Sequence, residues 1–180
     1  MHYRVCLLIA LLAAPAATAQ DTWEQAAANG AQARQALLAC WRYSQGWLQF
    51  ADPATGLLPR RLDKDLYWNA QDCAADNYPF LILTAFFTDP PQLTGRFLKM
   101  LETEQRLCNR VDRLPDDWDF ATQAFRTPEW NLDRLIFGAS EYVKDGLIPV
   151  TEWLGPSAWS ERMLGLLDDI WKNAAIETEV

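Results

Sequence analysis

The eight residues Phe80-Leu-Ile-Leu-Thr-Ala-Phe-Phe87 are apolar on every side, and they restrict the fold of this chain more than any other feature. A run of this length fits either a buried strand or a buried helical segment, and periodicity alone does not separate the two. Ala70, Ala74 and Ala75 upstream favour extending it as a helix, and no second strand candidate exists to pair with it. A helix apolar all round must be enclosed by others. The expectation is an all-α fold in two layers, with this helix inside and amphipathic helices outside.

The amphipathic helices are legible as stripes. Leu132, Leu135, Ile136, Ala139, Tyr142 and Val143 recur at helical spacing, as do Trp159, Met163, Leu166, Leu167, Ile170, Trp171 and Ala174 behind a Pro156-Ser157 start. Leu93, Phe97, Met100, Leu101 and Cys108 form a weaker third stripe, and a first helix is expected over much of Thr22 to Phe50, with Gly30 a candidate break. Gly56-Leu57-Leu58-Pro59 and Gly146-Leu147-Ile148-Pro149 echo one another. In each, a left-handed Gly can end a helix and Pro can prevent its continuation. Two such stops suggest repeated helical hairpins.

The N-terminus has Arg4, an apolar stretch from Val5 to Ala14, and Ala17-Thr18-Ala19 ahead of Gln20. That order is expected of a cleavable signal peptide over residues 1–19, followed by one helical domain over 20–180. The apolar stretch is short for a bilayer span, which needs roughly 20 residues. Export to the periplasm or the extracellular space, with no membrane attachment after cleavage, is the expectation.

Loss of Arg4 with the signal takes the formal charge from −8 to −9, since no acidic residue leaves with it. Such a surface repels phosphate backbones, so no nucleic-acid partner is expected. Arg60, Arg61 and Lys64 are the only clustered basic residues, and they read as a solvated loop. The single histidine, His2, lies in the signal, so the mature chain has no imidazole for Ser-His-Asp catalysis or zinc ligation. Cys40, Cys73 and Cys108 are odd in number and widely spaced, which leaves their pairing open and favours small apolar filler. Neither a metal nor another cofactor is expected.

The densest polar and aromatic cluster runs from Tyr67 to Pro79. On one helix, Asp72 and Asp76 are a turn apart and share a face, where two carboxylates can have their pKa values driven apart into an acid and a base. The alternative is that Asp76 or Asn77 only caps a helix whose first turn holds Pro79. A second cluster, Pro115-Asp116-Asp117-Trp118-Asp119-Phe120, reads as an acidic turn; a cation site or a sugar site floored by Trp118 is the weaker reading. Trp159 and Trp171 are expected in the core. Trp68, Trp118 and Trp130 stand in or beside loops with carboxylates near them, as in many carbohydrate sites.

Asp52-Pro53-Ala54-Thr55-Gly56-Leu57-Leu58-Pro59-Arg60, Trp68-Asn69-Ala70-Gln71-Asp72, Ala75-Asp76-Asn77-Tyr78-Pro79-Phe80 and Asp145-Gly146-Leu147-Ile148-Pro149-Val150-Thr151-Glu152 together resemble the helical hairpins of six-hairpin glycosidase-like proteins. That resemblance implies an (α/α) toroid, here only partial, because the helices number about half of a full ring. It implies catalytic Asp72 and Asp76, with Trp68, Asn69, Tyr78 and Trp118 lining the substrate site. An oligo- or polysaccharide would be the partner, and an incomplete ring would associate with itself or with a missing C-terminal half. The expected function is that of an exported glycoside hydrolase-like protein; a non-catalytic helical module that binds glycan or protein is the alternative.

Overall fold

The computed structural model describes residues 19–175. The expected signal peptide lies outside the described residues, apart from Ala19. The chain divides into two units, residues 1–36 and 37–180, with the boundary inside α1 (Ala19–Leu48). Within the first unit the described side chains are all exposed, and i,i+4 pairs such as Gln25 with Asn29 decorate the helix. No break occurs at Gly30.

The second unit is mostly helical. Asn69 has extended backbone, and its Oδ1 accepts hydrogen bonds from the N–H groups of Asp72 and Cys73. This cap starts a wide π-helical segment, Ala70–Asn77, that runs directly into α2 (Tyr78–Thr88), where Pro79 occupies the first turn. The turn α3 (Pro90–Gln92) leads through a second π segment, Leu93–Phe97, into α4 (Leu98–Cys108). Next, α5 (Leu132–Glu141) is capped by Asn131 and passes through a third π segment, Tyr142–Leu147, into α6 (Ile148–Leu154). A Ser157–Ser160 capping box starts α7 (Ala158–Asn173).

Four expectations are corrected. The run from Phe80 to Phe87 is helical, but it is not enclosed: Leu81, Ile82, Thr84 and Ala85 are buried, whereas Phe80, Phe86 and Phe87 remain exposed. Phe86 and Phe87 lie edge to face with one another, and Phe87 does the same with the exposed Trp153.

The two Gly-Leu-Leu/Ile-Pro segments are not equivalent helix stops. Gly56 does take a left-handed conformation (φ 75°), but in a loop well past α1, where the Asp52 carboxylate accepts hydrogen bonds from the Thr55 N–H and hydroxyl. Gly146 lies within a helix and serves close packing. A Cβ there would stand 2.6 Å from the Ala74 carbonyl oxygen and 2.8 Å from the Tyr142 ring. Gly138 meets Ala70 and Gln71 at ordinary contact distance, so two glycines let the long helix from α5 press against the first π segment. Gly146→Ala is accordingly expected to cost about 1–3 kcal/mol through overpacking, read as a lowered urea midpoint with an unchanged slope.

Strands are also present among the described residues. β1 (Tyr67–Trp68), β4 (Trp118–Asp119) and β5 (Ala124–Phe125) form an antiparallel sheet in the order β1-β4-β5, and β2 (Asn109–Val111) pairs with β3 (Leu114–Pro115) as a hairpin. The hairpin turn, with Asp112 at φ 50°, is fastened to α7. Arg113 makes paired hydrogen bonds to the Asp169 carboxylate, and Lys172 and Asn173 donate to Asp112.

The core collects Leu57, Leu58, Trp68, Leu81, Leu101, Leu114, Leu135, Tyr142, Leu147 and Leu166. Trp159 belongs to it, but Trp171 is 68 % exposed. At about 100° per residue, Trp171 lies about 120° round α7 from Trp159, off the stripe that faces inward. Among the described residues no helix is long and apolar enough to cross a membrane.

Candidate functional site

The π segment that carries Asp72 and Asp76 forms one wall of a cleft of about 480 Å³. The remaining lining comes from Tyr43 and Trp47 on α1, Pro59 and Arg60 on the loop before β1, and Phe80 at the start of α2. Tyr43 and Trp47 are i and i+4, hence on one side of α1. The Tyr43 ring meets Phe80 edge to face at 5.0 Å and Trp47 at 6.4 Å. The result is an open slot with aromatic and carboxylate sides.

Its polar groups are ordered from behind. Arg60 Nε sits 2.8 Å from Asp72 Oδ2, and Arg60 Nη1 donates to the Tyr67 hydroxyl at 2.8 Å. Asn69 Nδ2 donates to the same Asp72 oxygen. A second guanidinium, that of Arg126, lies over the Tyr67 ring at 3.9 Å. Asp76 makes no such pairing; it is largely exposed, and its carboxyl is raised from the usual Asp value. Partial burial is the main cause, followed by the negative charges of Asp72, Asp145 and Glu141, with Lys144 opposing. Cys73 borders the cleft but is buried, and burial drives its thiol so far up that it stays protonated and unreactive.

The residues proposed from sequence separate into two groups. Asp72 and Asp76 do share a cleft, with Asn69 behind them as cap and positioner. Trp68 and Tyr78 do not reach it. Trp68 is wholly buried in β1, and Tyr78 is buried with its hydroxyl accepting the Leu58 N–H, so neither offers a face to a ligand. Trp118 is half-buried in β4 against Phe125 and is absent from the cleft lining. The aromatic walls come instead from Tyr43, Trp47 and Phe80. A Tyr and a Trp one turn apart on the exposed side of a helix were the available sequence signal for two of them. Arg60 likewise belongs to the site and is not part of a merely solvated loop.

The acidic run at 116–119 also differs from a solvated turn. Asp116 is buried beside Arg110, Asp117 is paired with Arg134 and has its carboxyl raised mainly by burial, and only Asp119 caps an exposed turn by accepting from Thr122. These carboxylates serve different partners, and among the described residues no three His, Cys, Asp or Glu side chains converge as a metal site.

A larger polar network escaped the sequence reading altogether. Glu104 on α4 and Arg162 on α7 are buried and make a two-pronged ion pair at 2.9 and 3.0 Å. Arg162 also donates to the Arg113 carbonyl and to Asn109 Oδ1, and the Tyr142 hydroxyl bonds Glu104. Burial pushes the Glu104 carboxyl up, and Arg162 pulls it back. This network, which does not line the Asp72–Asp76 cleft, ties α4, the β2–β3 hairpin and α7 together.

Comparison with known proteins found no matching family, no matching curated protein and no matching solved structure.

Proposed function

We propose that this chain is an exported carbohydrate-active protein of glycoside hydrolase type, working in the Asp72–Asp76 cleft and built as part of an (α/α) toroid like that of six-hairpin glycosidases. The observation that carries the reading is the combination of two carboxylates with Tyr43, Trp47 and Phe80 around one open slot. Flat aromatic faces pack on the apolar faces of sugar rings, while carboxylates accept from their hydroxyls. The side of α2 left open at Phe86 and Phe87 supports a ring of helices of which this chain forms a part.

Hydrolysis of a glycosidic bond needs one carboxyl that enters protonated and a second that acts as base or nucleophile. Asp76 suits the acid, because it lacks the Arg60 and Asn69 partners that hold Asp72 as a carboxylate and its own carboxyl is raised from the usual Asp value. Asp72, oriented by Asn69 and Arg60, is the partner carboxylate. That same orientation supports a second reading, a glycan-binding module without catalysis, because one Asp72 oxygen already serves two donors.

Incubating the protein with a panel of soluble oligosaccharides, and following both binding and the release of reducing ends, tests the proposal. New reducing ends that disappear in Asp72→Asn and Asp76→Asn, with helicity by circular dichroism unchanged, support the hydrolase. Binding without release supports the module, and neither binding nor release on any glycan removes the carbohydrate reading.

A further inference from the structure

A second cleft, of about 570 Å³, opens beside the loop that leads into α5. Its lining includes Asp116, Glu129, Trp130 and Arg134. Trp130 is 58 % exposed there, and the loop that carries it is bolted down. Arg110 donates through Nη1 to the Thr127 carbonyl and through Nη2 to the Pro128 carbonyl, while its guanidinium lies over Phe125 at 4.3 Å and Trp130 at 5.6 Å. The Thr127 hydroxyl donates to the Glu129 carbonyl, and Asn131 caps α5.

An exposed indole normally costs solvation for nothing in return, and a mobile one would lose entropy on meeting a ligand. Here most of that loss has been taken in folding. Charged residues of both signs line the same cleft: Glu129, and Arg134, which is held by Asp117.

A narrow depression shares Asp116 and Arg134 with the Trp130 cleft and includes Ala70 and Gln71, the residues immediately before Asp72. We infer that the Trp130 cleft is a second saccharide subsite, in which the indole stacks on a pyranose ring of an oligosaccharide whose hydroxyls meet Glu129 and Arg134. The inference rests on the carbohydrate reading above and extends it from a single sugar to a chain. The substrate class is then a soluble polysaccharide or long oligosaccharide.

Titration calorimetry of the full chain with β-1,4-glucose, β-1,4-xylose and α-1,4-glucose hexasaccharides tests it. For the tightest of these, Trp130→Ala is expected to weaken binding roughly tenfold, the scale of one aromatic stacking contact plus its buried area. Trp130→Phe keeps a ring and should recover most of the loss, and Trp171→Ala, equally exposed on α7, should change nothing. Since Trp130 lies outside the core, a folding defect is not expected, and circular dichroism checks this. Unchanged affinity in Trp130→Ala, alongside lost hydrolysis in Asp76→Asn, overturns the subsite and leaves the hydrolase standing. Weakened affinity with no hydrolysis by the wild type keeps the subsite and removes the catalysis. No binding of any hexasaccharide overturns both.

Discussion

Glu104→Ala is expected to destabilise the protein by about 3–5 kcal/mol, because it strands the buried Arg162 guanidinium without its charged partner. Arg162 is 3 % exposed and Glu104 fully buried, so neither charge can turn outward to solvent. Arg162 would keep the Arg113 carbonyl and Asn109 Oδ1, but both are neutral acceptors. The Tyr142 hydroxyl would lose its partner as well. Arg162→Met should be comparably damaging, since it leaves the carboxyl buried with Tyr142 alone. The double variant Glu104→Leu with Arg162→Met is expected to recover much of the loss, as apolar replacement of a whole buried pair is often neutral or stabilising. Urea unfolding of the three variants measures this directly. Equal losses in the double variant and the sum of the singles would show that the two side chains act independently, contrary to the paired geometry.

That network was more legible in the sequence than its omission suggests. Glu104 stands at the i+7 position from Phe97 and i+3 from Leu101, inside the apolar stripe of α4, and Arg162 stands i+3 from Trp159, inside the stripe of α7. A charge on an inward stripe asks for a buried partner. What the sequence withholds is which partner, because the two residues are 58 apart and their meeting depends on how α4 and α7 pack. The helices themselves follow from periodicity, but the cap does not: it is Asn69, eight residues ahead of the expected Asn77, whose side chain makes no cap hydrogen bond. Gly146 was misread for a different reason. Glycine ahead of an apolar residue and proline serves equally as a helix stop or as a gap for a neighbouring backbone, and only the position of Ala74 distinguishes the two.

The strands were invisible because they are short and owe their existence to tertiary pairing; β1 meets β4 across about fifty residues of chain. The same pairing buries Trp68. A tryptophan next to Asn and Asp residues reads as exposed when only its neighbours are seen, yet it fills the core, Asn69 is buried beside it as a helix cap, and only Asp72, three residues further on, lines the cleft.

On the proposed hydrolase reading, Asp76→Asn is expected to lower glycan hydrolysis by about 10²- to 10⁴-fold, the usual contribution of a positioned general acid. The pH dependence carries more information than the loss itself. A carboxyl that must donate a proton is competent below its pKa and fails above it. Because the Asp76 carboxyl is raised from the usual Asp value, the alkaline limb of the wild-type rate profile should be displaced upward from that of an unperturbed Asp. Two of the causes can be removed separately. Asp72→Asn takes away the nearer negative charge but also the partner carboxylate, so its residual activity would be too small to place the limb well. Asp145→Asn is the cleaner experiment. Asp145 is not among the residues that line the cleft, yet its charge also raises Asp76, so its removal should move the alkaline limb to lower pH while leaving the rate on the acid side nearly unchanged. A purely structural role for Asp76 predicts no such movement. If the limb stays in place in Asp145→Asn, the acid lies elsewhere, and the assignment of Asp76 fails even though its replacement abolishes activity.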